Sequence, residues 1–134
     1  MKYLLDVNAL LALGFHEHEF HQRMAGWINH LASRGIPDLA STAITELGFV
    51  RILCQAPQYG LRVEDAQALL ARFKTQKTIR WTFLPDDLAV ERLPRWVKSA
   101  KQVTDGHLSE LAKAHGAILA TFDRGIHGVF IMPG

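Results

Sequence analysis

Apolar residues along this chain follow two rhythms, one suited to strands and one to helices. Tyr3, Leu4 and Leu5 make a short apolar run over 2–5, and Asp6 stops it. Such a run suits a strand buried on both faces, as in a parallel sheet. A helix is predicted over about 8–14, carrying Leu10, Leu11 and Leu13. A second is predicted over about 20–33, with Met24, Trp27, Ile28 and Leu31 at helical spacing. Gly35 ends it and Pro37 forbids continuation. A short strand over 38–41 leads to Ser41 or Thr42, a plausible N-cap for a helix through about residue 54. Ala66, Leu69, Leu70 and Phe73 line one face of a helix over 63–74, and Ile79–Leu84 alternates as a strand. A short helix near 87–93 is expected to stop before Pro94. The last quarter predicts a helix capped by Thr104, with Leu108, Leu111 and Ala112 on one face and Gly116 just past its end. A buried strand over 117–122 follows, stopped by Asp123, and a final strand over about 128–132. Strands alternating with helices indicate an α/β sandwich on a mostly parallel sheet.

Composition narrows the class. Hydrophobic residues are 49% and charged residues 21% of 134, which excludes a disordered chain and permits one core without metal or disulfide staples. No repeat or low-complexity segment divides the chain, so a single domain over residues 1–134 is expected. Cys54 is the only cysteine, so an internal disulfide is impossible and a reducing compartment is suited. No apolar segment approaches the roughly 18 residues that span a bilayer. Met1–Leu5 has the look of a signal peptide, but Asp6 and Asn8 interrupt it at once. A soluble cytoplasmic protein with no membrane partner is expected. A net charge of +2 hints only weakly at an anionic partner.

The acids carry more information than the total charge. Asp6 and Asp123 each terminate a buried strand, and open parallel sheets bind ligands outside the carboxyl ends of their strands. Either residue alone has an ordinary alternative, capping the next helix or turn. Glu46 lies on an apolar face with Thr42, Phe49, Val50 and Leu53, where a carboxylate needs a partner or a metal. Arg51 is about 140° away around the same helix, so it is a poor partner. Asp105, next to Thr104, is by itself a favourable first-turn acid. Converging at one rim, each pair of carboxylates at ~5 Å would repel by about 3 kcal/mol at an effective dielectric of 20. Protons or a divalent cation must relieve that repulsion, and all-oxygen ligands favour Mg²⁺ or Mn²⁺ over zinc. A hard cation there would activate water and stabilise charge on a phosphodiester.

Four blocks extend this picture: Leu5–Leu13, Ser41–Arg51, Val103–Leu108 with Leu111 and Ala112, and Leu119–Gly125. In order and spacing they resemble PIN-domain proteins, specifically the VapC-type toxin ribonucleases of type II toxin–antitoxin systems. The resemblance implies a PIN-like three-layer sandwich with a mostly parallel four- or five-stranded sheet flanked by helices. It implies an acidic pocket in which Asp6, Glu46, Asp105 and Asp123 hold one or two Mg²⁺ or Mn²⁺ ions and activate the attacking water. Asn8 and Thr121 match polar positions that support such a pocket. It also implies an RNA substrate, a VapB-like antitoxin that blocks the pocket, and a homodimer.

An acidic centre must still attract a polyanion. Arg92, Arg95, Lys98 and Lys101 recur every three residues, interleaved with Trp96, just before Asp105. This stripe could hold phosphates and stack a base, or be only a solvated surface. His16, His18 and His21 lack the HExxH spacing and have no accompanying cysteine, so a polar loop is expected there rather than a zinc site. The apolar first helix could dock a partner, although core packing explains its leucines equally well. The alternatives are a PIN nuclease of RNA processing without an antitoxin, and a non-catalytic domain that binds RNA or protein. A haloacid-dehalogenase-type phosphatase would want Asp-x-Asp where Asp6-Val7-Asn8 stands.

Overall fold

The structure, a computed structural model, describes residues 1–123 and 130–131. It contains β1 (Lys2–Leu5), α1 (Val7–Gly14), α2 (His21–Ala32), β2 (Asp38–Thr42), α3 (Ala43–Gln55), α4 (Val63–Thr75), β3 (Arg80–Leu84), α5 (Val103–Ala114), β4 (Ala117–Thr121) and β5 (Phe130–Ile131). The strands form one five-stranded sheet in the order β3-β2-β1-β4-β5. Every pairing is parallel, with Leu4 opposite Ala40 on one side and Leu119 on the other.

The unbroken apolar runs are explained by two cores, one on each face of the sheet. Successive strand residues point to opposite faces. Leu5, Leu39 and Ala120 join the larger core with Leu10, Met24, Trp27, Phe49, Leu53 and Leu70, contributed by α1 to α4. Leu4, Ala40, Leu84 and Leu119 face the other way, onto Leu108 and Ala112 of α5. The result is the α/β sandwich on a parallel sheet that the residue pattern predicted, with the three layers that the resemblance implied. Leu10 and Leu11 of α1 are almost fully buried, so core packing accounts for them, while Leu13 and Phe15 are half-buried. Among the described residues no helix is long and apolar enough to cross a membrane.

Two glycines set close approaches. Gly116 has φ of +68°, a left-handed conformation that ends α5 and turns the chain into β4. At Gly106 a side chain would meet Val97 at 2.3 Å, so glycine alone lets the 94–97 segment lie against the start of α5.

Two local expectations differ, and one lies partly outside the described residues. The helix expected over 87–93 is only a 3₁₀ turn at Val90–Arg92. Asp86 accepts a hydrogen bond from the Leu88 amide at 3.1 Å, and this side-chain turn replaces the first helical bonds. Thr104 is not an N-cap: a 3₁₀ turn at Ala100–Gln102 runs straight into α5, so Thr104 sits inside the first turn. The final strand is seen as Phe130–Ile131; the other positions of 128–132, with Arg124, Gly125 and His127, lie outside the described residues.

Candidate metal centre at the carboxyl edge

The strand order creates the crevice. From β1 the chain builds outward through β2 to β3, then crosses to β4 on the other side of β1. The switch point lies between β1 and β4, and their carboxyl ends are where such sheets bind ligands. Asp6 follows β1 and Asp123 follows β4 by two residues. α5 packs on the sheet and feeds β4, so its first turn, with Asp105, lies at the same edge. α3 leaves the carboxyl end of β2 and brings Glu46 to that edge as well.

Local chemistry then divides the four acids. Asp6 is 8% exposed and caps α1, its Oδ1 accepting from the Ala9 amide at 2.8 Å. Burial raises its carboxyl above the ordinary value. Hydrogen bonds from Thr121 and the Ala9 amide oppose that rise, and the charge on Asp123 adds to it. Asp105 is pushed up to about 6, first by burial and then by the charges on Asp6 and Asp123. Thr121 is fully buried; its hydroxyl serves Asp6 and accepts from the Asp123 amide at 3.0 Å. One side chain therefore touches both strand-end acids.

Glu46 differs from the expectation that four acids share one set of contacts. Its Oε2 lies 2.7 Å from Lys74 Nζ of α4 and accepts a hydrogen bond of 2.5 Å from the Ser41 hydroxyl. Trp81 Nε1 donates to that same hydroxyl at 3.0 Å. The carboxylate on the apolar face is thus neutralised by an ion pair, and the partner is Lys74 rather than the exposed Arg51. Among the described residues no three His, Cys, Asp or Glu side chains form a ready ion cage. The three aspartates still suit a hard cation by donor chemistry: all are oxygen ligands, and Asp105 already carries the repulsion that a cation relieves.

The remaining candidates take clear places. Asn8 is exposed in the first turn of α1, with Oδ1 2.8 Å from His18 Nε2. Burial, more than neighbouring charge, lowers the pKa of His18. Arg92, Arg95, Lys98 and Lys101 are exposed and Trp96 is partly buried; Arg92 ends the first 3₁₀ turn, Lys101 lies in the second, and the other three occupy the irregular segment between them. They do not form one helical face, although the Gly106 contact holds the segment beside Asp105. Ser41, Lys74 and Trp81 were not expected at this edge. Nor was the pair between His107 and Asp86, 2.6 Å apart. Burial alone would raise Asp86; hydrogen bonds from His107 and the Leu88 amide overcome this and hold it below its ordinary value. A cavity of about 420 Å³ opens beside the Glu46–Lys74 pair, and one of about 500 Å³ lies between Phe15, Leu61 and Arg72. Neither of these two is lined by Asp6, Asp105 or Asp123.

Comparison with known proteins agrees with this geometry. A family model described as the PIN domain matches residues 3–129. The chain is 42% identical over 130 residues to ribonuclease VapC44 of Mycobacterium tuberculosis, covering 94% of this chain and 89% of that one. It is 36% identical over 127 residues to ribonuclease VapC38 of the same organism, covering 92% and 86%. Among solved structures, that of VapBC2 from Rickettsia felis bound to a DNA fragment from their promoter matches with a TM-score of 0.63. The sequence identity there is 15%, with coverage of 98% of this chain and 97% of that one. PAE2754 from Pyrobaculum aerophilum matches with a TM-score of 0.58 at 20% identity, covering 98% and 90%. At such identities the two structures speak for the fold.

Proposed function

The chain belongs to the PIN domain family, and from that membership together with the aspartate crevice we propose that it is a metal-dependent endoribonuclease, the toxin of a VapBC-type pair. The observation that carries this reading is the Asp105 carboxyl, raised to about 6 beside Asp6 and Asp123 at the switch point of the sheet. Charge is concentrated there without a cationic partner for Asp6 or Asp105 among the described residues.

Asp6, Asp105 and Asp123 would hold one or two Mg²⁺ or Mn²⁺ ions, with Glu46 completing the acid set from the β2 side. A bound divalent cation would supply charge stabilisation for the phosphodiester and make water a better nucleophile. Thr121 would fix the Asp6 and Asp123 ends of the set, and Asn8 would donate to the substrate. Arg92, Arg95, Trp96, Lys98 and Lys101 would hold the RNA backbone beside Asp105. The protein would act as one domain in the cytoplasm, as a homodimer, restrained by a VapB-like antitoxin. The VapBC2 structure supports that last role at the level of the fold.

The test is cleavage of RNA with Mn²⁺ or Mg²⁺ and with EDTA. Products with 5′-phosphate and 3′-hydroxyl ends, lost on chelation, are expected. Activity that survives chelation, or is unchanged by Asp6→Asn, refutes the mechanism. Growth arrest on expression, relieved by a small neighbouring reading frame, distinguishes the toxin from an RNA-processing nuclease.

A further inference from the structure

Two hydrogen bonds fix the state of His18, a histidine outside the acid set. The Phe20 amide donates to His18 Nδ1 at 3.0 Å. A backbone amide can only donate, so Nδ1 is the unprotonated nitrogen and the neutral ring carries its hydrogen on Nε2. That Nε2–H faces Asn8 Oδ1 at 2.8 Å and donates to it. A carboxamide whose oxygen is held has its NH₂ group fixed as well. The supporting loop is itself anchored: His21 Nδ1 donates to the Ala12 carbonyl at 2.7 Å, tying the loop back onto α1. Asn8 stands two residues beyond Asp6, and among the described residues His18 is its side chain's hydrogen-bond partner.

We propose that His18 is a positioning residue: it orients the Asn8 carboxamide so that its NH₂ group donates to an anionic oxygen of the substrate beside Asp6. The proposal rests on the reading of the aspartate edge as a ribonuclease site. An unrestrained carboxamide offers its oxygen or its nitrogen end with similar ease, and the oxygen end repels a phosphate oxygen. His18 removes that choice, so its loss weakens function through Asn8 and not through the fold.

The experiment joins ¹⁵N NMR of the His18 ring with steady-state cleavage of a short RNA in Mn²⁺. The wild type, Asn8→Ala, His18→Ala, His18→Gln and the Asn8→Ala/His18→Ala double variant are compared, with melting temperatures as controls. The wild-type ring is expected in the Nε2–H form. His18→Ala should lower kcat/KM roughly fivefold, the size of one lost hydrogen bond. The double variant should be no worse than Asn8→Ala alone, because coupled residues are not additive. His18→Gln, which keeps a terminal NH₂ for Asn8 Oδ1, should restore most of the loss. Additive losses, hydrogen on Nδ1, or a glutamine variant as poor as alanine would each overturn the proposal. If His18→Ala melts below the assay temperature, His18→Gln and His18→Leu in both Asn8 backgrounds carry the same cycle. A wild type inactive on RNA brings down the ribonuclease reading instead, while the ring tautomer still decides whether His18 holds Asn8.

Discussion

Two acidic corners of one sheet edge are built in opposite ways. Between β1 and β4, Asp6 and Asp105 have no ion-pair partner among the described residues, and each carboxyl is raised. At the end of β2, Glu46 has Lys74 at 2.7 Å and the Ser41 hydroxyl against the same oxygen. Asp6 and Glu46 reach their corners by the same device, a strand that runs into a helix, and Asp105 joins Asp6 from the first turn of α5. What differs is compensation. A buried carboxylate that meets a lysine needs nothing further, whereas carboxylates that meet one another leave a debt that only protons or a cation can settle.

The largest expected effect tests that division. Asp6→Asn and Asp105→Asn should each lower RNA cleavage at least ~100-fold, because both remove ligand charge. Asparagine at position 6 keeps the α1 cap, so folding is preserved. Glu46→Gln should cost about tenfold, since part of its charge is already spent on Lys74. Equal losses at all three positions, measured as kcat/KM on one RNA, would erase the distinction. Next in size is the basic segment. Arg95→Glu with Lys98→Glu should weaken RNA binding about tenfold and flatten its salt dependence, read from affinities across a salt series. A smaller effect separates the two possible partners of Glu46. Lys74→Met should destabilise the fold by about 1 kcal/mol in urea unfolding, and Arg51→Met by less than about 0.5.

The smallest effect has a defined sign. The Asp105 carboxyl titrates at about 6 in the folded chain, above its ordinary 3.8. Its protonated form therefore favours the folded state below 3.8, and that contribution is lost as the pH rises through about 6. At pH 7.5 in EDTA, Asp105→Asn should raise the melting temperature by ~2 °C, and the gain should vanish near pH 4. A variant that is no more stable at pH 7.5 would mean that solvent already screens the charge.

Much of this was readable from local pattern. The run Tyr3–Leu5 stopped by Asp6 predicted β1 and a strand-end acid, and Gly116 marked the end of α5 because its φ is positive. The layers followed from apolar runs that alternate between two cores. Pairings between distant residues were not readable. Lys74 is 28 positions from Glu46, so no helical face relates them. Asp86 and His107 are 21 apart, and their pairing accompanies a side-chain turn where a helix was expected. Thr104 carried the composition of a cap, but the 3₁₀ turn before it had already started the helix. Position along the chain thus fixed which edge each acid reaches; only the third dimension showed which of them finds a cation of its own.

Calorimetric titration of Mn²⁺ into the metal-free wild type, Asp105→Asn and Glu46→Gln at pH 7.5 and pH 5.5 addresses the central claim directly. Saturable binding is predicted for the wild type at pH 7.5, weaker at pH 5.5 as protons compete for Asp105, lost in Asp105→Asn and retained in Glu46→Gln. Wild-type protein that takes up no Mn²⁺, or Asp105→Asn that binds as tightly as wild type, would contradict it.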